Sequence, residues 1–224
     1  MKREIIPAIM PKDYEDLEAK LGLVAKVVDW VQIDVMDGKF VKSKSWPYDK
    51  YKHFEEIVEQ QEGLPHWEDL EFSIDLMVVD PKEEAPKWIE AGAGRVIIHI
   101  ESLRPGDEEF LESLKNRAVE VCLALSTETS LDKLEKFSGL YDSVQFMGIE
   151  NVGYQGEPFV ENVLEKISDF RSKNPDMPIS IDGGVNFDNI QDLLDAGATR
   201  IVSGSVIFES GDVRGTIEEM RDLL

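Results

Sequence analysis

Cysteine is nearly missing from this chain, with Cys122 alone among 224 residues. That excludes an internal disulfide framework and any cysteine-built metal cluster. Positive charge is also short: 24 Lys and Arg stand against 46 Asp and Glu, for a net charge of −22 and a pI near 4.4. Such a surface repels a phosphodiester backbone and anionic lipid alike, which argues against nucleic-acid and membrane partners. No apolar run approaches the roughly 18 residues that a membrane span requires. The first residues, Met1 to Asp16, hold too short an apolar stretch for a signal peptide and turn acidic at once. Linkers, low-complexity stretches and composition breaks are absent too. What is present suffices for a core, since 42% of the residues are hydrophobic, with four Trp and ten Phe. Global disorder is excluded on that ground. The expectation is a soluble, cytoplasmic, acidic domain spanning residues 1–224, of a length close to the roughly 250 residues of a (β/α)₈ barrel. An anionic substrate on so acidic a chain needs a local binding device.

Eight short β-branched runs recur: Glu4–Ile9, Trp30–Val35, Phe72–Val79, Arg95–Ile100, Glu120–Leu125, Ser143–Ile149, Pro178–Ile181 and Arg200–Ser203. They are nearly continuous in apolar residues, as parallel strands covered on both faces are. Amphipathic stretches separate them. Tyr14–Leu21 follows Pro11 and Asp13. Lys82–Ala91 follows an Asp80-Pro81 start, and Phe159–Lys173 carries apolar residues at helical spacing. Asn186–Ala196 ends at Gly197, and Val213–Leu224 closes the chain. Strand–helix alternation repeated eight times predicts an α/β fold, a single parallel eight-stranded TIM barrel. The irregular region is Lys39–Leu70, rich in aromatic residues. It reads either as a helix with an extended aromatic anchor or as a lid or oligomer contact, and a homo-oligomer is compatible with it.

Active sites of such barrels lie at the C-terminal ends of the strands. The second strand ends Gln32-Ile33-Asp34-Val35-Met36-Asp37-Gly38, and its period of two places Gln32 and Asp34 on the interior side. The third carries Asp75, the fourth His99, and the seventh ends at Asp182-Gly183-Gly184. Carboxylates inside a barrel are costly unless paired, metal-bound or catalytic. Asp37, beside Gly38, reads as a turn residue; His99 reads equally well as a hydrogen-bonded core histidine. Glycine-rich turns follow the last three strands: Gly153-Tyr154-Gln155-Gly156, Gly183-Gly184 and Gly204-Ser205. With the short apolar segment Val206–Phe208, they describe a barrel phosphate site whose backbone amides hold the anion without lysine or arginine.

Along nearly its whole length the sequence resembles ribulose-phosphate 3-epimerases. The resemblance is carried by Ile6-Pro7-Ala8-Ile9, Ile33–Val41, Asp75-Leu76-Met77-Val78 with Pro81, and His99 with Glu101. It continues through Leu123-Ala124-Leu125, Asp182–Asn186, Ala196-Gly197-Ala198 and Gly204–Phe208. It implies inversion at C3 of a ketose phosphate, D-ribulose 5-phosphate to D-xylulose 5-phosphate, through an enediolate. Asp34 and Asp182 are then the two catalytic acid–base groups. It also implies a divalent metal (Mg, Mn, Zn or Fe) at Gln32, Asp34, Asp75 and Asp182, and a pocket formed by Ala8, Met36, Met77, His99 and Met147.

The chain also departs from the pattern the resemblance supplies. Gln32 and Asp75 stand where the family has histidines, and Ala8 where it has a serine. The loop Met147–Gly156 replaces an Asn-Pro-Gly-Phe-Gly-Gly pattern and is one residue longer. Three ionised aspartates around a divalent ion leave the site at −1, which opposes an enediolate, and oxygen-only ligands favour magnesium or manganese. The alternatives are a site without metal, with Asp75 protonated or bonded to Gln32; a phosphosugar-binding paralogue without turnover; and an epimerase of a six-carbon ketose phosphate.

Overall fold

The computed structural model describes residues 2–154 and 156–224. Eight parallel strands close into one barrel in sequence order: β1 (Glu4–Ile9), β2 (Trp30–Met36), β3 (Glu71–Met77), β4 (Ala93–His99), β5 (Glu120–Leu125), β6 (Ser143–Met147), β7 (Ile179–Asp182) and β8 (Arg200–Ser203). The helices are α1 (Tyr14–Val24), α2 (Tyr51–Gln60), α3 (Pro81–Glu90), α4 (Glu108–Lys115), α5 (Asn162–Lys173), α6 (Ile190–Ala196), α7 (Ser205–Phe208) and α8 (Val213–Arg221). The expected (β/α)₈ barrel is therefore the fold, and no described helix is long and apolar enough to cross a membrane.

Helix starts follow local chemistry. Asp80 caps α3 by accepting from the Glu83 amide at 3.3 Å, with Pro81 at the first helical position; Asp13 caps α1 through the Asp16 amide at 2.8 Å. Two helices start later than the sequence spacing predicts, and α8 ends at Arg221 rather than Leu224. Residues Phe159–Glu161 precede α5 because the Val160 amide bonds to the Gly148 carbonyl at 2.9 Å. Residues 186–189 form a turn before α6, in which the Asn186 side chain accepts from the Asp188 amide.

The large apolar core lies between barrel and helices, while the barrel lumen is layered. At its lower, N-terminal end Arg95, Glu120 and Arg200 meet. Above them sits a thin apolar layer, Ile6 with Val202 and Ile97 with Cys122 and Ala124. Polar groups fill the upper end.

The 39–70 region resolves into α2 and an anchor. Trp46 is buried against Trp88 and Phe54, with ring centroids 5.9 and 5.7 Å apart. Tyr48 and Tyr51 bond to Glu84 on α3. Ser45 Oγ donates to the Asp34 carbonyl at 2.9 Å and accepts the Met36 amide at 3.0 Å, tying the loop to the end of β2.

Candidate active site

Three carboxylates converge at the upper end of the lumen. Asp34 on β2 and Asp75 on β3 are side by side in register, and Asp182 ends β7. One oxygen from each lies within 4.8 Å of the others, and all three residues are buried. Like charges so close in low dielectric repel strongly; neutral amides reduce the penalty. Gln32 Nε2 donates to Asp34 Oδ1 at 2.9 Å and to Asp182 Oδ2 at 2.6 Å. Gln145 Nε2, on β6, donates to Asp75 Oδ2 at 3.2 Å and Asp182 Oδ2 at 3.4 Å. His99 Nε2 meets Asp75 Oδ1 at 2.9 Å. An ionised carboxylate only accepts, and the amides turn their nitrogens towards this cluster. The resulting chain runs Asp34, Gln32, Asp182, Gln145, Asp75, His99.

Burial, followed by the charges of Asp182 and Asp75, holds the Asp34 carboxyl well above its ordinary value, against the opposing bond from Gln32. Burial and the Asp75 charge push Asp182 up to about 7. His99 would be lowered by burial, but the charge and hydrogen bond of Asp75 raise it on balance. A close carboxylate pair of this kind gives up its protons in separate steps. It can therefore present one acid and one base at once near neutrality.

Above the carboxylates opens a cavity of about 230 Å³ whose wall includes Ala8, Asp34, Met77, Met147 and Asp182. Its far side is Gly183, Gly184, Gly204 and Ser205, with Gly153, Tyr154 and Gly156 over it. Gly184 has φ +66°, and a Cβ there would lie 2.7 Å from Phe159 Cα, so only glycine brings this backbone to the cavity. No lysine or arginine is among the described lining residues. Met36 is buried, with its sulfur beside Gly153. Gln155 lies outside the described residues. Asp37 is a turn residue: its carboxylate accepts the Lys39, Phe40 and Val79 amides.

Gln32, expected among the metal ligands, turns its amide nitrogen towards Asp34 and Asp182. The group that can hold a cation is Asp34, Asp75 and Asp182, an all-oxygen set that fits a hard divalent ion. His99 lines a neighbouring cavity rather than this one. Gln145 and Ser203 were not expected. Gln145 occupies an interior position of β6, two residues before Met147, and the period-two reading applied to β2 would have found it. Ser203 lines the cavity at 3% exposure, and its hydroxyl has no partner among the described residues; it directly precedes the Gly204-Ser205 turn.

Comparison with known proteins places this site in context. The family model for the ribulose-phosphate 3-epimerase family matches residues 4–208. The chain belongs to that family. Among its relatives, the ribulose-phosphate 3-epimerase of Eremothecium gossypii is 28% identical over 99% of this chain and 93% of that protein. The chloroplastic ribulose-5-phosphate-3-epimerase of Arabidopsis thaliana is 30% identical over 98% of this chain and 77% of its own. Among solved structures, 3-keto-L-gulonate-6-phosphate decarboxylase from Vibrio cholerae superposes with a TM-score of 0.73, covering 99% of this chain and 98% of that one at 13% identity. That likeness speaks for the fold alone. Membership supports isomerase chemistry on carbohydrate and a phosphosugar ligand.

Proposed function

We propose that this protein inverts C3 of a ketose phosphate, interconverting D-ribulose 5-phosphate and D-xylulose 5-phosphate, with Asp34 and Asp182 as the two proton-transfer groups. The observation that carries the reading is the pair itself: two buried carboxylates from β2 and β7, bridged by one amide nitrogen, at the edge of a cavity walled by glycine backbone. Inversion next to a carbonyl needs a base on one face of the carbon and an acid on the other. The ionised member of the pair takes the C3 proton, and the protonated member delivers one to the opposite face. Asp182, pushed up to about 7, suits either role near neutral pH. The substrate phosphate lies on the amides of Gly183, Gly184, Gly204 and Ser205, which offer donors without side-chain cations. Met36, Met77 and Met147 give the planar intermediate an apolar bed. Asp34, Asp75 and Asp182 would hold a hard divalent ion, magnesium or manganese before zinc or iron, and when bound it supplies positive charge to the carbonyl oxygen.

The test is proton NMR of the purified protein with ribulose 5-phosphate in D₂O, with and without each divalent metal. The expected outcome is xylulose 5-phosphate formation with deuterium at C3. Absence of both under every metal condition overturns the epimerase reading, and retained binding in that case leaves a phosphosugar-binding protein.

A further inference from the structure

A second cavity, about 470 Å³, adjoins the first and shares Tyr154 and Glu157 with it. Its wall includes His99, Glu101, Ser126 and Glu150, with Phe40 and Lys42 from the loop after β2. Its position follows from the closed strand order. The glycine cradle stands at the ends of β7 and β8, and in a ring of eight the strand facing β8 is β4. His99 ends β4 and Ser126 follows β5. A chain whose phosphate rests on the cradle crosses the Asp34–Asp182 pair and enters this cavity with its other end.

The chemistry of the wall is specific. His99 is 1% exposed, and its Nε2 is committed to Asp75. Its Nδ1 has no hydrogen bond among the described residues, and Glu101 Oε2 is 3.9 Å away, too far for one. With the Nε2 proton given to Asp75, Nδ1 accepts as Glu101 Oε2 does, so a substrate hydroxyl donates to one of them and the hydroxyl on the next carbon can donate to the other. Glu101 is held in position by its other oxygen, which accepts the Ser126 amide at 2.9 Å and the Thr129 hydroxyl. Lys42 faces three carboxylates in this wall, Glu101, Glu150 and Glu157, so a second anionic group is unwelcome.

We propose that this cavity is a subsite for the non-phosphorylated end of the substrate, that it reads hydroxyls through His99 Nδ1 and Glu101 Oε2, and that it accepts a longer hydroxylated end than a hydroxymethyl group. This rests on the epimerase reading above and extends its substrate class. A hex-3-ulose 6-phosphate, which adds one hydroxylated carbon on the side of the carbonyl away from the phosphate, is accepted. The carbon to be inverted then keeps its distance from the phosphate. A pentulose 1,5-bisphosphate is rejected.

The experiment compares three ligands: ribulose 5-phosphate, a hex-3-ulose 6-phosphate and ribulose 1,5-bisphosphate. Turnover is followed by NMR and binding by calorimetry, in the wild type, Val152→Phe and Glu150→Lys. Val152 lines the second cavity, so its enlargement shortens the space. Expected are wild-type kcat/KM values for the two monophosphates within roughly tenfold of each other, and a loss in Val152→Phe roughly tenfold larger for the six-carbon compound. The bisphosphate binds at least about tenfold more weakly than the pentulose monophosphate, a gap that Glu150→Lys narrows. Normal ribulose 5-phosphate turnover with no binding of the six-carbon compound, or equal losses in Val152→Phe, overturns the subsite and leaves the epimerase standing. Binding of both monophosphates without turnover of either keeps the subsite and removes the epimerase. Binding of neither removes both.

Discussion

The two ends of the barrel lumen solve opposite electrostatic problems. At the lower end Glu120 receives a bidentate pair from Arg200, at 2.6 and 3.1 Å, and an ion pair from Arg95 at 3.0 Å. Arg95 also donates to Ser73 and stacks on Trp30, 4.1 Å from the ring centroid. Burial would raise Glu120, but the Arg200 hydrogen bond and the Arg95 charge dominate and hold it down at about 2. At the upper end three carboxylates share two amides and one imidazole, and Asp34 and Asp182 are raised instead. With Glu4 3.9 Å from Arg200 as the second carboxylate, the lower end matches its charges and stabilises the fold. The upper end leaves negative charge under-compensated, and that imbalance is what a proton-transfer site requires.

The largest test of this contrast is Asp182→Asn. Epimerisation should fall by about 10²–10⁴-fold, while thermal stability at pH 7 stays level or rises, because a repelled buried carboxylate is gone. A loss of stability with rates unchanged would reverse the roles assigned to the two ends. Next is Glu120→Ala, which strands two guanidinium groups. Urea unfolding should register a loss of about 3–5 kcal/mol, with the KM for ribulose 5-phosphate unmoved.

The pH dependence of the two ends has opposite sign. Glu120, lowered in the fold, contributes stability above its unfolded value, lost as pH falls from near 4.5 towards 2. Asp182 is raised, so between about 4 and about 7 the unfolded chain holds fewer protons than the fold, and stability declines as pH rises. Metal-free protein should therefore be most stable in mildly acidic solution, and Asp182→Asn should flatten the upper limb. A melting-temperature profile from pH 3 to 8 reads both limbs. The smallest effect is from added manganese. It should stabilise the wild type at pH 7.5 by up to about 2.7 kcal/mol at a hundredfold excess over Kd, read as a higher melting temperature, and raise that of Asp75→Asn less. Equal shifts would remove Asp75 from the cation site.

The barrel was legible because each strand is a short, mostly apolar run and two of the helix starts, at Asp13 and at Asp80-Pro81, carry a cap that the sequence shows. Asp34, Asp75 and Asp182 were legible because a charge inside such a run has few reasons to be there. The orientation of Gln32 was not: a glutamine offers an oxygen and a nitrogen, and only neighbours from β2 and β7 decide which one faces the site. Gln145 was obscured because a neutral polar residue in an apolar strand costs less than a carboxylate and signals less. The second cavity was invisible in the sequence, since it joins Phe40–Lys42, His99, Ser126 and Glu150 from four separate loops and strand ends.

The Ser45 tether has a consequence for anyone recombining this chain with its relatives. Because one hydroxyl fastens the loop to the Asp34 carbonyl and the Met36 amide, residues 34–46 behave as one cassette. Phe40 and Lys42, which face the second cavity, are thereby kept in step with the carboxylate on β2. A crossover point inside this stretch would join β2 from one parent to the loop after it from another and misalign Asp34 with Phe40 and Lys42. Junctions placed before β2 or after Trp46 would transfer the pair intact.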